Sequence, residues 1–269
     1  MKKIKFLPAQ IFVIALFSII FTACSSADDG SQTARIMVRM TDAPGDYDEV
    51  NIDVQDVLIK STTDSDDTKG WVSVGTVTPK IYNLLDLTAG VNVLLADNVI
   101  PSGYLGQIRL LLGDKNTAVK NGVTYNLSTP SAQQSGLKLK INQTLVAGAT
   151  YDFLLDFDVA RSVVKAGNSG NYNLNPVINV STEATSGVIK GVLNPVLEGY
   201  QVEVVVAVGT GTISTYTNDL GVFQLNGVPA GTYTVTLTPE IASGKAPIVI
   251  NNVKIVNGEI TNVGSVSFN

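Results

Sequence analysis

The strongest constraint on this chain is an alternation of apolar and polar residues with a period of two. Tyr233–Pro239 reads YTVTLTP and Gly136–Ile141 reads GLKLKI. Successive side chains of an extended strand point to opposite faces, so this pattern is typical of half-buried β-strands. Helical periodicity is confined to two short segments, near Leu84–Leu87 and Val159–Ala166. The sequence therefore predicts an all-β fold.

Two Asn-Gly pairs mark predicted hairpin turns. Asn121-Gly122 and Asn257-Gly258 each stand between runs that are rich in β-forming residues. Asparagine and glycine tolerate the positive φ that a two-residue turn requires. We therefore expect an antiparallel hairpin at each pair.

A glycine followed within three residues by a tyrosine precedes three of the predicted strands. The glycines are Gly103, Gly148 and Gly231. We expect each glycine to adopt a backbone geometry that is closed to other residues. The tyrosine ring should pack at the end of a β-sandwich with its hydroxyl near water.

A short polar segment, Ser181–Gly187 (STEATSG), divides the chain. It separates about 150 residues from a final stretch of about 85, and each is long enough for a β-sandwich. We predict two tandem β-sandwich domains, Ig-like or transthyretin-like, at residues 34–180 and 187–269. A linker at 181–186 joins them.

The first 23 residues have the composition of a signal peptide. Three lysines lie within the first five residues, and Ile11–Phe21 is a short apolar run. A membrane-spanning helix needs about 20 apolar residues, so this run is too short to be one. The small residues Thr22 and Ala23 then precede Cys24, the only cysteine of the chain.

The segment Phe21-Thr22-Ala23-Cys24 resembles the lipobox of bacterial lipoproteins, although the usual first residue is leucine-like. The resemblance implies that residues 1–23 are removed, that Cys24 is lipidated, and that residues 24–33 form a flexible tether. Three acyl chains together hold a protein on a membrane, because each buried CH₂ contributes about 0.8 kcal/mol.

The segment after the cysteine, Ser25–Gly30, resembles the Ser/Asp-rich export tag of surface lipoproteins in the Bacteroidota. The resemblance implies a lipid-anchored protein of the outer membrane that is exposed at the cell surface. The alternative is a plain acidic tether on a protein that faces the periplasm.

The composition excludes several classes of function. The chain has 18 Lys+Arg against 23 Asp+Glu, a formal net charge of −5, which disfavours nucleic acid as a partner. It has no histidine, which excludes Ser-His-Asp catalysis, Cys-His catalysis and His-ligated zinc. We predict a non-enzymatic protein with no catalytic residues and no cofactor, apart from a candidate Ca²⁺ site built of oxygen ligands.

The last part of the chain resembles the carboxypeptidase regulatory-like domain, a transthyretin-like sandwich. The resemblance rests on Gly187–Val192, the Asn194-Pro195 turn, Thr217–Leu225 (TNDLGVFQL) and Pro229–Tyr233 (PAGTY). It departs at Val196–Tyr200 (VLEGY), where the family usually has Pro-Leu-x-Gly-Ala. This family is an accessory module, sometimes grouped with carbohydrate-binding-like folds, and it implies no catalytic residues.

Residues 34–180 resemble a family of uncharacterised bacterial lipoprotein domains. Met40–Val50 (MTDAPGDYDEV) matches the Thr-Asp-Ala-Pro opening of that family with its acidic, tyrosine-containing turn. Gly103–Leu110 resembles a later strand of the family, with Tyr104 directly after the glycine instead of one residue further on. The resemblance implies a fold and a location but no activity.

Four carboxylates cluster around the acidic turn: Asp42, Asp46, Asp48 and Glu49. Together they could hold Ca²⁺, which takes six to eight oxygen ligands. Alternatively, Asp42 accepts hydrogen bonds from the backbone of its own turn, and Arg39 or Arg109 neutralises the other acids. The sequence leaves both interpretations open.

Asp152, Asp156 and Asp158 recur at even spacing in the segment YDFLLDFDV. This spacing puts them on one face of a strand and an apolar stripe on the other face. Glycosidases use paired carboxylates. A solvent-facing polar strand face gives the same pattern, so a glycosidase is the least favoured function.

Trp71, the only tryptophan, follows an acidic loop and is a candidate ligand contact, because sugar sites present exposed aromatic rings. The alternation in Trp71–Val74 would equally place the indole in the core. We predict a surface lipoprotein that binds a glycan or an extracellular protein, or that acts as a spacer. The alternative is a fimbrial or adhesin-type subunit assembled by strand donation, with a processing site at Arg35 just before the first strand.

Overall fold

The structure is a computed structural model that describes residues 32–43, 45–63, 66, 68–75, 77–129, 136–167, 170–182 and 185–268. The predicted signal peptide, Cys24 and most of the predicted tether lie outside the described residues. Thr33–Asn269 forms one compact unit. In the part of the chain that is described, no helix is long and apolar enough to cross a membrane.

The fold is all-β, as the alternating pattern predicts. The described strands are β1 (Thr33–Ala43), β2 (Glu49–Lys60), β3 (Val72–Ser73), β4 (Lys80–Asn83), β5 (Val93–Pro101), β6 (Gly103–Leu112), β7 (Thr117–Lys120), β8 (Val123–Ser128), β9 (Leu137–Leu145), β10 (Thr150–Asp158), β11 (Val163–Lys165), β12 (Tyr172–Leu174), β13 (Ile178–Thr182), β14 (Gly187–Leu193), β15 (Val202–Val208), β16 (Gly211–Tyr216), β17 (Val222–Val228), β18 (Gly231–Pro239), β19 (Ile248–Ile255) and β20 (Ile260–Val266).

The described helices are short. They are the 3₁₀ helices Leu84–Leu87 and Ile241–Ser243 and the α-helix Val159–Ser162. The helical turn predicted at Leu84–Leu87 is confirmed, and its N-cap is the side chain of Asn83, which accepts from the Leu85 N–H. The second predicted segment is shorter than expected, because the chain returns to a strand at Val163.

Residues 33–182, called here the first half, form two sheets from their described strands. One sheet has the order β13-β10-β1-β5. The other has the order β11-β12-β8-β7-β2-β6-β9, with β3 and β4 also paired to β2. Apolar side chains from both sheets, such as Ile36, Ile108 and Phe153, form one buried cluster. The first half is therefore a β-sandwich.

Residues 185–268, called here the second half, form the sheets β17-β14-β20 and β16-β15-β18-β19. A separate hydrophobic cluster that includes Ile189, Val204, Phe223 and Leu237 lies between them. The predicted β-sandwich architecture is thus confirmed. The linker boundary at 181–186 stays a prediction, because both halves belong to the same compact unit.

The first strand of each half lies between two neighbours of its sheet. β1 pairs in parallel with β10, from Arg35 opposite Thr150 to Ala43 opposite Asp158, and antiparallel with β5. β14 likewise pairs in parallel with β20 and antiparallel with β17. A parallel pair cannot be closed by a tight turn, so each of these pairs joins distant parts of the sequence.

The two predicted hairpins have different outcomes. Asn121-Gly122 is confirmed: the residues have φ of 53° and 71°, and Lys120 pairs with Val123 across the turn. The hairpin predicted at Asn257-Gly258 is wrong. The chain does turn there, with a φ of 74° at Gly258, but the flanking strands β19 and β20 lie in different sheets. An Asn-Gly pair identifies the turn and not the pairing of the strands beside it.

The special backbone geometry predicted for three glycines holds for two of them. Gly103 and Gly148 have φ of 132° and 77°. Gly231 lies outside the left-handed region, and a Cβ there would come within 3.0 Å of the Tyr233 ring. At this third position glycine is therefore needed for space rather than for an unusual φ.

The aromatic core of the second half gives a first prediction. Phe223 is 0% exposed and Leu220, three residues earlier, is 76% exposed. Phe223→Ala should lower the free energy of unfolding by about 3–5 kcal/mol, because it leaves a cavity in a closed core. Leu220→Ala should change it by less than about 0.5 kcal/mol. Urea unfolding followed by circular dichroism compares the two, and equal losses would contradict the assignment of the second cluster.

Candidate functional site

Trp71 lies at the end of the loop that leads into β3. Leu58 of β2 is paired with Ser73 of β3 on one side and with Arg109 of β6 on the other. This register brings the loop end close to Arg109. Trp71 is half-buried and packs outside the first hydrophobic cluster. It is therefore neither a core residue nor a fully exposed ring.

Two cations flank the indole of Trp71. The guanidinium carbon of Arg109 is 3.8 Å from the ring centroid, and the Nζ of Lys60 is 5.7 Å from it. Lys60 and Arg109 are 4% and 6% exposed. A desolvated cation–π contact of this kind contributes about 2 kcal/mol. The Lys60 ammonium also donates a hydrogen bond to the carbonyl oxygen of Asp66 at 2.6 Å.

The geometry around Trp71 limits how a ligand can bind there. Arg109 covers one face of the indole, so a sugar ring could stack only on the area that the guanidinium leaves open. The indole N–H is buried and has no hydrogen-bond partner among the described residues. It is a donor to which an oxygen of a ligand could accept a hydrogen bond.

The four carboxylates predicted as calcium ligands have separate partners. Asp42 accepts from the Val159 N–H at 3.3 Å, Asp46 pairs with Lys120 at 2.7 Å, Asp48 accepts from the Gly122 N–H at 2.9 Å, and Glu49 accepts from the Asn51 side chain at 2.9 Å. Within the described ranges, no group of three acidic, His or Cys side chains is placed to hold a metal ion. Asp42, Asp46 and Asp48 are therefore held by groups distant in sequence, and only Glu49 by a near neighbour.

The arginines proposed to neutralise this turn lie elsewhere. The Nε of Arg39 donates to Asp152 at 2.9 Å, and Arg109 stacks on Trp71. Lys120 is the cation that pairs with Asp46 of this turn, and the hydrogen bond between them raises the pKa of the lysine. Sequence reasoning missed Lys120 because it lies in β7, far from the acidic turn along the chain.

An open groove lies next to the acidic turn. It has a volume of about 720 Å³ and is lined by Asp46, Asp48 and Tyr47 of the first half and by Tyr200, Glu240 and neighbouring residues of the second half. Its lining is mostly polar and carries several carboxylates. A ligand there would have to be polar or basic.

Asp156 and Asp158 were expected on a solvent-facing strand, and this expectation is wrong. They are 8% and 4% exposed. The aspartates do share one face of β10, opposite the buried Phe153 and Phe157, as predicted. The face meets the second half instead: Asn226 Nδ2 of β17 donates to Asp156 Oδ2 at 3.4 Å, and Asp158 interacts with Glu203 of β15 and Tyr216 of β16. This contact between β10 and β17 is called the junction below.

Burial changes the protonation of three carboxyl groups near the junction, Asp42, Asp156 and Asp158. Desolvation raises the pKa of Asp156 to about 7, and the hydrogen bond from Asn226 opposes it only in part. Desolvation also raises the pKa of Asp42 well above its usual value, and the charge of Asp156 raises it further. Desolvation raises the pKa of Asp158, against the hydrogen bond from the Arg161 N–H.

Two oxygens of these carboxyl groups are buried without a hydrogen-bond partner among the described residues. They are Asp42 Oδ2 and Asp156 Oδ1. The partner that sequence reasoning missed is Asn226. The alternation in β17 (VFQLNGV) puts Asn226 on the same polar face as Gln224, so the sequence alone does not set it apart from an ordinary surface position.

These features define an all-β protein of two sandwiches whose most perturbed acids are buried at an internal contact and not arranged around an open cleft. A family model for a domain of unknown function, DUF4382, matches residues 33–176. The chain belongs to this family. The prediction of a domain of unknown function over residues 34–180 is confirmed. The comparison with curated proteins gives no match.

Several solved structures are similar to the chain at low identity. They include the TIE protein of Bacillus anthracis (12% identity, 88% of this chain, 34% of that chain, TM-score 0.22), a mutant of the shaft pilin SpaA of Lactobacillus rhamnosus GG (13%, 88%, 96%, 0.22) and BcpA, the major pilin subunit of Bacillus cereus (11%, 88%, 70%, 0.23). The chain spans about a third of the length of the TIE protein. At these TM-scores the similarities carry no argument about function.

The stacked cation gives a prediction for the Trp71 site. Trp71 is the only tryptophan, so its fluorescence reports on this site alone. Arg109→Ala should shift the emission to longer wavelength, because water replaces the guanidinium on the ring. It should also lower stability by about 1–2 kcal/mol.

Arg35→Ala is the matched control, because Arg35 is an exposed arginine that pairs with Asp97. It should leave the emission unchanged. Unchanged emission in Arg109→Ala would show that the guanidinium does not cover the indole in solution.

Proposed function

We propose that the protein is a lipid-anchored surface protein that acts as a non-enzymatic binding or spacer module, with a glycan as the favoured ligand. The observation that carries the binding proposal is the half-buried Trp71, whose indole N–H has no hydrogen-bond partner in the part of the chain that the structure describes. A partly open aromatic face next to a hydrogen-bond donor suits a sugar ring, which has an apolar face and hydroxyl oxygens.

The anchor in this proposal is Cys24 within its lipobox-like segment. The compact unit begins at Thr33, nine residues further on. An extended chain spans at most about 3.3–3.6 Å per residue, so this tether would reach about 30 Å. The first half would therefore work close to the membrane. We place it at the outer membrane, facing the cell surface.

The second half has the role of an accessory sandwich in this proposal, in line with its carboxypeptidase regulatory-like sequence pattern. Its seven strands and separate hydrophobic cluster support a module that positions or spaces the first half.

The burial of the aspartates supports a non-enzymatic role. A glycosidase needs two carboxyl groups that reach opposite sides of a bound sugar. Asp156 and Asp158 are buried and face the second half instead, Asp156 at Asn226 and Asp158 near Glu203 and Tyr216.

The fimbrial alternative ranks second. It expects a processing site at Arg35 ahead of the first strand, but Arg35 lies within β1, which is paired on both sides. Its guanidinium is held by the carboxylate of Asp97 in a short ion pair. A protease would have to open the sheet to reach this bond.

The anchor is tested by lipid labelling. Wild-type protein should incorporate a radioactive fatty acid, and Cys24→Ser should lose the label and leave the membrane fraction, because the thiol is the acylation site. An unlabelled wild-type protein would rule out the anchor.

The binding role is tested with a glycan array probed by the protein from residue 24 onward. Trp71→Ala should abolish binding to any glycan that the wild type binds. Its melting temperature should fall, because the cation–π contact with Arg109 is lost, but its circular dichroism should stay that of the folded protein. Val72→Ala is the matched control, since Val72 is adjacent and 63% exposed. It should keep binding.

Each other result of the array assigns a different role. Turnover of a polysaccharide would favour the enzyme interpretation. The absence of any bound glycan would favour a spacer or a protein ligand.

A further inference from the structure

The junction is a close contact between the halves. Besides the hydrogen bond from Asn226 to Asp156, a Cβ at Gly227 would lie 2.9 Å from the Cβ of Ser181. β17 therefore approaches β13 closely at Gly227 and reaches β10 through the side chain of Asn226. The contact buries polar groups and not an apolar cluster, since the two hydrophobic cores are separate.

Ionisable groups from several elements surround Asp156. Asp158 of β10 and Asp42 of β1 interact with Asp156 directly, and β17 contributes the uncharged Asn226 beside Gln224. Arg161 of the short helix, Glu203 of β15 and Tyr216 of β16 interact with Asp158, and Arg39 of β1 pairs with Asp152 of β10. Arg39 is engaged by Asp152, and Arg161 lies 3.8 Å from Asp158. The charged groups that interact with Asp156 directly are therefore both acids.

We propose that the junction is a pH-dependent contact, closed while Asp156 is protonated and loosened when Asp156 ionises. A neutral carboxyl group fits a dry contact with an amide, but a buried carboxylate beside Asp158 does not. Opening the junction would return the charge to water without disturbing either hydrophobic core. This inference does not depend on the proposed glycan binding or on the lipid anchor.

The direction of the pH effect follows from the pKa of Asp156. Burial raises it from 3.8 to about 7, so the closed junction binds the proton more tightly than an open one. The stabilisation is complete below about pH 4 and is lost as the pH rises through about 7. The shifts of Asp42 and Asp158 have the same direction. The junction should therefore weaken on passing from mildly acidic to mildly basic solution.

The test is a thiol-labelling experiment at the junction. Ser181→Cys in a Cys24→Ser background, in the chain from residue 24 onward, places a single thiol under Gly227. The labelling rate at each pH is divided by the rate in the urea-unfolded chain at the same pH. This ratio corrects for the effect of thiol ionisation on the rate. We expect the corrected rate to rise on the order of tenfold from about pH 5.5 to about pH 8.

Two variants distinguish the contribution of Asp156 to the pH dependence from that of its neighbours. Asp156→Asn should flatten the pH dependence, since the amide stays neutral and keeps the size of the side chain. Asp152→Asn should keep it, because Asp152 lies on the same face of β10 but is partly exposed and paired with Arg39. A flat profile in the parent protein, or an unchanged slope in Asp156→Asn, would overturn the proposal.

Three further readouts apply even if Asp156→Asn fails to fold. The ¹³C titration of the Asp156 carboxyl group should share its midpoint with the labelling profile, and a separate midpoint would refute the link. Circular dichroism should stay constant over the same range, since a loss of signal would indicate global unfolding instead. Millimolar Ca²⁺ should leave the labelling rate unchanged at the higher pH, whereas protection by Ca²⁺ would identify a cation site and overturn the proton switch.

Discussion

The parallel pairing of β1 with β10 is the contact on which both the first half and the junction depend. It places β1 between β5 and β10, so that Ile36 and Phe153 face the same hydrophobic cluster. On the opposite face it aligns Arg39 with Asp152. At its end it holds Asp42 against the start of the short helix. Closing so long a loop costs entropy that grows only slowly with its length, and the buried apolar face offsets that cost.

Burying the opposite face of β10 is less favourable in free energy than burying its apolar face. Keeping Asp156 ionised in the closed junction would cost about 4 kcal/mol, since its pKa rises from 3.8 to about 7 and one unit corresponds to about 1.4 kcal/mol. The hydrogen bond from Asn226 is 3.4 Å long and offsets little of this cost. A contact that buries carboxyl groups does little to stabilise the sandwiches, whose cores are separate. What it does is fix how the two halves meet, and that arrangement depends on the charge of Asp156.

The sequence was sufficient for features that depend on local chemistry. Period-two alternation predicted the strands, Asn121-Gly122 predicted a real hairpin, and the spacing of the aspartates predicted that they share a face of β10. Features that depend on distant partners were not predictable in this way. The turn at Asn257-Gly258 gives no information on whether its strands pair, and the alternation that identifies the face of Asp156 cannot reveal that β17 covers it. Trp71 was singled out by residue type alone, and the stacked Arg109 appears only once β2 and β6 are in register.

The position of β1 also determines which strands would bear a pulling force on the proposed anchor. A tether attached at Cys24 would pull on the first strand, which is hydrogen-bonded on both sides, so the load would be shared by β5 and β10. The second half is connected differently: it follows β13, a strand at the edge of its sheet, and meets the first half at the junction. The anchored half would therefore be held by many backbone hydrogen bonds and the outer half by a few polar contacts. A change in the charge of Asp156 would act at this weaker connection and leave the anchored sandwich intact.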